Sequence, residues 1–235
     1  MSDWKPKRFW TESAVVDAEG GFTVELDGRR VKTPAKAALV LPTRAMAEQV
    51  AAEWDAQEKE VDPAKMPFTR SANAAIDKVR HQHAEVADML ADYGDSDLLC
   101  YRATHPQELQ ERQAEQWNPA LDWAAEELSA RLLPVAGVLH QPQSEKALNT
   151  LKLRVHQLND FQLASFHDLV SLSGSLVLGF ATALNWRDVE EIWQISRLDE
   201  IWQIEQWGHD DEAFDVAETK RAAFLHAKRF FDLSI

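Results

Sequence analysis

The chain has 235 residues, of which 45% are apolar and 27% charged, with 39 acids against 25 bases and a formal net charge of −14. That is the composition of a soluble globular chain, long enough for one large domain or two small ones. The single cysteine, Cys100, excludes an internal disulfide and a cysteine-based metal cluster, and the acidic balance argues against nucleic acid and anionic membranes, whose phosphates would be repelled.

The charge is uneven along the chain. Residues 1–80 carry 13 bases and 13 acids, so residues 81–235 carry 12 bases and 26 acids and hold the whole net charge. An acidic half suits a basic protein partner, or simply solubility. The opening residues, MSDWKPKRFW, lack the apolar centre of a signal peptide and the Ser and Arg content of a transit peptide. The most apolar run, Leu169 to Leu184, is too short to span a bilayer and reads as buried helix, so no membrane insertion is expected.

In chain order, the first forty residues read as β. Ala14-Val15-Val16 leads to a Gly20-Gly21 turn, and Phe22, Val24 and Leu26 then alternate with Thr23, Glu25 and Asp27, the period of a half-buried strand. Asp27-Gly28 marks a tight hairpin, because a type I′ turn needs positive φ at both positions. The return strand runs from Arg29 to Thr33 and is closed by Pro34, and a short strand covers Leu39 to Leu41. Thr43 is placed to cap a helix whose buried stripe is Ala47, Val50, Ala51 and Trp54. A second helix is predicted over Thr69 to Val79, after the Met66-Pro67 breaker.

From His81 the pattern turns helical. Glu85 to Tyr93 forms one helix, and Leu98 to Tyr101 fits either strand or helix. Pro106 suits the first turn of a long helix toward Glu127, with a bend or break at Pro119. A loop spans Pro134 to Pro142, Ser144 caps a helix to about Leu158, and Asp160 starts the next. Gly174 and Gly179 let the apolar run pack closely. A final helix covers Ala213 to Phe231. The expected fold is α+β: a small N-terminal domain of β-hairpins plus helices over residues 1–80, and a larger, acidic, all-helical domain over residues 81–235.

Trp186 to Asp215 stands out, with ten acids, two bases and four of the nine tryptophans. Its pattern is one long helix broken at Gly208, on which Trp193, Glu200 and Trp207, seven apart, share a stripe. A carboxylate between two aromatics is either a gripping surface or a core stripe with a solvated acidic face. The pentapeptide EIWQI occurs twice, nine residues apart, and its copies face opposite ways.

Enzyme signatures are missing: there is no P-loop, G-x-G-x-x-G, G-x-S-x-G or H-E-x-x-H. His81-Gln82-His83 offers two metal-like ligands without a third, so no metal is expected. His167-Asp168 are helix neighbours that do not face each other, and Cys100 lies in an apolar run. Glu200, Glu205 and Asp211 remain as carboxylates for a hydrolase.

Several segments together resemble one family. They are Lys7-Arg8-Phe9-Trp10, LDGRRVKTP from Leu26 to Pro34, LPT from Leu41 to Thr43, and AAEWDAQ from Ala51 to Gln57. Ala75-Ile76-Asp77 and DLLCYR from Asp97 to Arg102 follow, and then Arg197-Leu198-Asp199-Glu200, Gln203 and Trp207-Gly208. From about residue 7 to 225 the chain resembles the chaperones that assemble the F1 sector of ATP synthase by binding its alpha subunit, the ATP-twelve family. The resemblance implies a small α+β domain followed by a helical one, no enzymatic activity and no cofactor. It also implies a monomer that holds new alpha subunit soluble until beta subunit replaces it. Eukaryotic members of that family work in the mitochondrial matrix, and since the opening residues do not read as a transit peptide, a bacterial cytoplasmic member is expected.

The family's C-terminal motif falls on Arg197, Leu198, Asp199, Glu200, Gln203, Trp207, Gly208, Asp211, Phe214 and Asp215. Asp199 and Asp211 stand where Glu is usual and keep the charge, whereas Phe214 replaces a usual His. The resemblance thus implies partner binding by Glu200 first, with Trp207, Gly208, Asp211, Asp215, Asp199 and Arg197. Trp54, Asp27, Gly28 and Pro34 belong to its N-terminal motifs and read as structural. Two alternatives stay open: an acidic adaptor for another basic protein, and a carboxylate-based hydrolase.

Overall fold

The fold is given by a computed structural model that describes residues 7–208 and 210–235. It is α+β, with two compact units. Unit 1 takes the chain up to His83 together with Asn159–Ser165 and Arg229–Ile235; unit 2 takes Ala84–Leu158 and Phe166–Lys228. Unit 1 is therefore not the contiguous stretch 1–80 expected from sequence. Phe161 and Phe230, stacked with centroids 6.4 Å apart, join its core from far along the chain.

In unit 1, β1 (Ser13–Ala18) pairs antiparallel with β2 (Gly21–Leu26), from Ser13 opposite Leu26 to Ala18 opposite Gly21. Asp27 and Gly28, at φ +48° and +76°, turn the chain into β3 (Arg29–Arg30). This is the hairpin the Asp-Gly pair encodes. The return strand is shorter than expected. Beyond Val31, whose N–H still reaches Val24 O at 2.9 Å, Thr33 to Lys36 form a turn. The Asp77 carboxylate holds that turn, accepting from Thr33 Oγ1 at 2.6 Å and Ala35 N at 3.1 Å. Leu41 makes a single antiparallel bridge to Phe22 rather than a strand. A Cβ on Gly21 would stand 2.2 Å from Leu41 O, so that close approach requires glycine.

Helix α1 (Arg44–Asp55) begins at Thr43, whose Oγ1 accepts from Met46 N at 3.1 Å. Its stripe of Met46, Ala47, Val50 and Ala51 is buried against the sheet, with Trp54 half-buried at its end. Helix α2 (Pro67–Asp77) starts at Pro67, two residues earlier than expected. Its N-cap, Met66, has no side-chain acceptor; Glu53 of α1 supplies one instead, as described below.

Unit 2 is built of helices: most of α3 (His83–Ala91), α4 (Gln107–Glu127), α5 (Glu145–His156), most of α6 (Asp160–Ser173), α7 (Leu176–Ala183), α8 (Val189–Ser196), α9 (Leu198–Trp207) and most of α10 (Asp211–Asp232). It is not purely helical. After a 3-10 turn at Leu98–Cys100, β4 (Tyr101–Arg102) pairs in parallel with β5 (Val135–Ala136). Helix α4 continues past Pro119, and Pro106 precedes it as N-cap instead of entering its first turn.

The apolar run expected as one helix is two. Gly174, at φ +70°, ends α6, and Ser175 caps α7 by accepting from Leu178 N at 3.0 Å. Gly179 is the close-packing glycine, since a Cβ there would lie 2.7 Å from Val170 Cγ2, whereas at Gly174 the nearest atom is at 3.8 Å. Asp97, fully buried, ties this junction together by accepting from Leu99 N and Val177 N, both at 3.0 Å.

The acidic stretch also divides earlier than expected, at Arg197. The Ser196 hydroxyl takes the Trp193 carbonyl at 2.7 Å, and Arg197 N closes a short turn onto Gln194 O at 3.1 Å. A serine that satisfies a helix carbonyl locally competes with helix continuation. Trp193 is buried with Phe224, while Trp207 is 79% exposed. The expected stripe of Trp193, Glu200 and Trp207 therefore does not form.

Candidate functional site

In unit 2 a groove of about 620 Å³ opens between α9 on one side and the segment from β4 into α4, with the tip of the β5 loop, on the other. Three features of sequence place it there. Arg112 of α4 makes a bidentate ion pair with Glu205 of α9, at 2.5 and 3.0 Å, and its guanidinium lies 5.9 Å from the Trp202 ring centroid. Gln113, only 1% exposed, accepts from Ala103 N at 2.8 Å and donates to Asp199 Oδ1 at 2.7 Å. One side chain thus pins both walls. The third wall is held by Gly137 N donating to Arg102 O at 2.8 Å, and by His140, which sits 3.2 Å from the Tyr101 hydroxyl and 3.3 Å from Asp95.

The electrostatics follow from these pairs. The Arg112 guanidinium holds the Glu205 carboxyl below its ordinary range, and Glu205 in turn raises Arg112. Burial lowers Arg102, opposed by Cys100 and by the Asp199 charge. Arg102 donates Nε to Leu99 O at 2.8 Å and stacks on Trp117, 5.3 Å from the ring centroid. Leu109, Val138, Trp202 and Trp207 supply apolar lining.

Of the residues expected to meet a partner, Asp199 and Trp207 line the groove. Arg197 and Glu200 form an i,i+3 ion pair at 2.7 Å, with Arg197 also over Trp193 at 5.7 Å. Gly208, at φ +96°, ends α9 by donating to Ile204 O at 2.9 Å. Asp211 and Asp215 are exposed in the first turns of α10. Two of the three hydrolase carboxylates, Glu200 and Glu205, are poorly suited to proton transfer, because each is committed to a guanidinium. Among the described residues, no group of three or more His, Cys, Asp or Glu side chains is arranged to hold a metal ion. The His167-Asp168 pair corrects the sequence reading, since Nδ1 and Oδ1 meet at 3.0 Å, which raises the His167 pKa; both side chains remain nearly half exposed.

Sequence reasoning missed Gln113, Leu109 and Val138. The available signal for Val138 was an apolar Val-Leu pair inside a proline-bounded loop. Both are solvent-facing, Val138 at 90% exposure.

Residues 7–125 match the family model described as ATP12 chaperone protein. The chain belongs to the ATP12 chaperone family. It is 25% identical over 222 residues to the mitochondrial protein atp12 of Schizosaccharomyces pombe, covering 89% of this chain and 76% of the relative. It matches the crystal structure of Atp12 from Paracoccus denitrificans at 45% identity and a TM-score of 0.96, over 99% of this chain and all of that one. A variant of the P. denitrificans protein with an aspartate-to-lysine substitution matches at 45% identity and a TM-score of 0.97 over the whole of both chains.

Within the span matched by the ATP12 model, the motifs hold one another. Arg8 donates to the main-chain oxygens of Asp55, at 2.8 Å, and Gln57. Glu53 accepts from Phe68 N at 2.6 Å, Thr69 N at 2.8 Å and Thr69 Oγ1 at 2.7 Å. Asp27 accepts from Glu12 N at 2.9 Å and Thr11 N at 3.1 Å, which keeps its carboxyl below the ordinary range. Trp54 packs edge-on to Trp10, 5.2 Å between centroids, in the core of unit 1. Pro34 is exposed in the turn that Asp77 secures, next to the Thr33 hydroxyl. These ATP12 motif residues belong to unit 1, whereas the groove is lined by residues of unit 2. The α9 residues lie beyond residue 125, in the part reached by the whole-chain structural matches.

Proposed function

We propose that this ATP12-family chain binds the unassembled alpha subunit of the F1 sector of ATP synthase and keeps it from aggregating until the beta subunit takes its place. It acts as a monomeric binding protein rather than a catalyst. The bacterial source of the solved relatives supports a cytoplasmic setting.

The observation that carries the reading is the exposure of Ile204, Trp207, Phe214 and Val216 within the acidic span that joins α9 to α10. Large exposed apolar side chains that gather into one patch mark a protein–protein interaction site. A subunit made before its neighbour exposes the apolar face meant for that neighbour, and such faces aggregate. Aromatic side chains supply the energy of covering it, and surrounding carboxylates orient the partner and repel further copies of the binder. Arg197, Asp199, Glu200, Trp207, Gly208, Asp211 and Asp215 are the proposed partner-binding residues.

The test is light scattering of the host's F1 alpha subunit diluted from denaturant, with and without an equimolar amount of this chain. Suppressed scattering that stays low when beta subunit is added, with alpha subunit then released from this chain, is the expected result. Scattering unchanged by this chain, but suppressed by a general holding chaperone, would contradict the reading.

A further inference from the structure

The groove beside α9 has a chemistry that narrows what can occupy it. Its volume of about 620 Å³ is within the range of sites that take compact ligands, roughly 300–1,000 Å³, and matches a few side chains of an extended segment. Its apolar lining is concentrated in Leu109, Val138, Trp202 and Trp207. Val138 and Trp207 are 90% and 79% exposed, so they have area left to bury.

The groove's carboxylate is Asp199. Its hydrogen bond is to the neutral Gln113 amide, on Oδ1. Of the two guanidinium groups nearby, Arg112 is bidentate on Glu205, and Arg102, stacked on Trp117 with Nε on Leu99 O, acts on Asp199 through its charge without a hydrogen bond to it. By contrast, four acids outside the groove on the same stretch, Glu190, Glu191, Glu200 and Glu205, each have an arginine partner, and Asp188 caps α8 by accepting from Glu190 N. Asp199 is thus the carboxylate of this stretch held inside an apolar groove without a cation hydrogen-bonded to it. A half-buried carboxylate of that kind favours an incoming cation more than an exposed one does, because solvent screens it less.

We propose that this groove takes an extended client segment in which a large apolar side chain is followed closely by a lysine or arginine. The apolar group lies among Leu109, Val138, Trp202 and Trp207, and the cation meets Asp199. This rests on the reading that the chain binds unassembled alpha subunit, and it names the kind of segment recognised. The net charge of −14 disfavours a second copy of this chain as the occupant.

The probe is an array of overlapping 15-residue peptides covering the host's alpha subunit, incubated with the full chain. Each binding peptide is then re-synthesised with its Lys or Arg changed to Glu. Two variants test the site. Asp199→Asn keeps an acceptor for Gln113 and removes the charge; Val138→Asp alters an exposed wall without touching the core. The peptides bound are expected to pair an apolar side chain with a base and to lose at least tenfold in affinity on the Glu change. Both variants are expected to lose binding by a similar factor at unchanged Tm. Peptides that bind equally with Lys or Glu, or variants that bind like the parent, would overturn the groove proposal while capture of intact alpha subunit still stands. Self-association abolished by Val138→Asp would make a second copy the occupant and would also overturn it. Failure of the parent chain to capture intact alpha subunit removes the reading beneath the proposal, and is scored before the variants are compared.

Discussion

Replacing Glu53 by alanine is expected to destabilise the chain by about 2–3 kcal/mol without any direct effect on partner binding. Helix α2 begins at Pro67 with no side-chain cap of its own, and Glu53 reaches across from α1 to accept from Phe68 N, Thr69 N and Thr69 Oγ1. Loss of an N-cap alone costs about 0.5–2 kcal/mol, and a hydrogen bond to a charged group contributes about 1.5–3 kcal/mol. Burial of the Glu53 carboxyl works the other way: it raises the pKa against the pull of those donors, so removing the side chain returns part of the loss. Glu53→Gln, with one acceptor oxygen in place of two, is expected to fall between parent and alanine. Urea unfolding followed by circular dichroism and tryptophan fluorescence measures the loss, with the exposed Glu58→Ala as a surface control near zero. A loss under about 0.5 kcal/mol for Glu53→Ala would refute the capping argument. So would reduced alpha-subunit capture at unchanged stability.

Burial pushes Asp97 from 3.8 up to about 6 despite the main-chain donors around it. The folded chain then holds that proton to higher pH than the unfolded chain. Relative to Asp97→Ala, the parent should lose roughly 3 kcal/mol of stability as pH rises from about 4 to about 6, and no more above that; parallel curves for the two proteins would contradict it. Gly179→Ala, with its Cβ placed 2.7 Å from Val170 Cγ2, should lower stability by about 1–3 kcal/mol in thermal unfolding. Glu200→Lys breaks a partly exposed pair with Arg197 and should change stability by no more than about 1 kcal/mol while weakening retention of alpha subunit; an unfolded mutant would make Glu200 structural.

The parts of the fold that are written locally could be read from sequence. The Asp27-Gly28 hairpin and the Thr43 cap rest on two or three neighbouring residues and appear where those residues put them. The helix breaks at Gly174 and Arg197 were missed, because the apolar pattern continues across both. What stops the helix is one left-handed glycine in the first case and a serine hydroxyl on a carbonyl in the second. Unit 1's use of Phe161 and Phe230 was not readable either, since packing at that separation leaves no periodic signal.

The candidate site shows the same division. Asp199 and Trp207 belong to a sequence motif, but the walls opposite them come from Leu109, Gln113 and Val138, distant in the chain. Gln113 looked like one more polar residue on a helix, and only its burial between Ala103 and Asp199 shows what it joins. Glu200 stands first by its place in the family motif, but its charge is paired with Arg197, whereas the neighbouring Asp199 lines the groove.

The most direct test of the central claim is co-expression of this chain, carrying an affinity tag, with untagged alpha and beta subunits of its host's F1 sector. The account predicts that alpha subunit copurifies when expressed without beta, and that retention falls when beta is present. Recovery of the chain alone, with alpha subunit soluble and unbound in the same lysate, would contradict it.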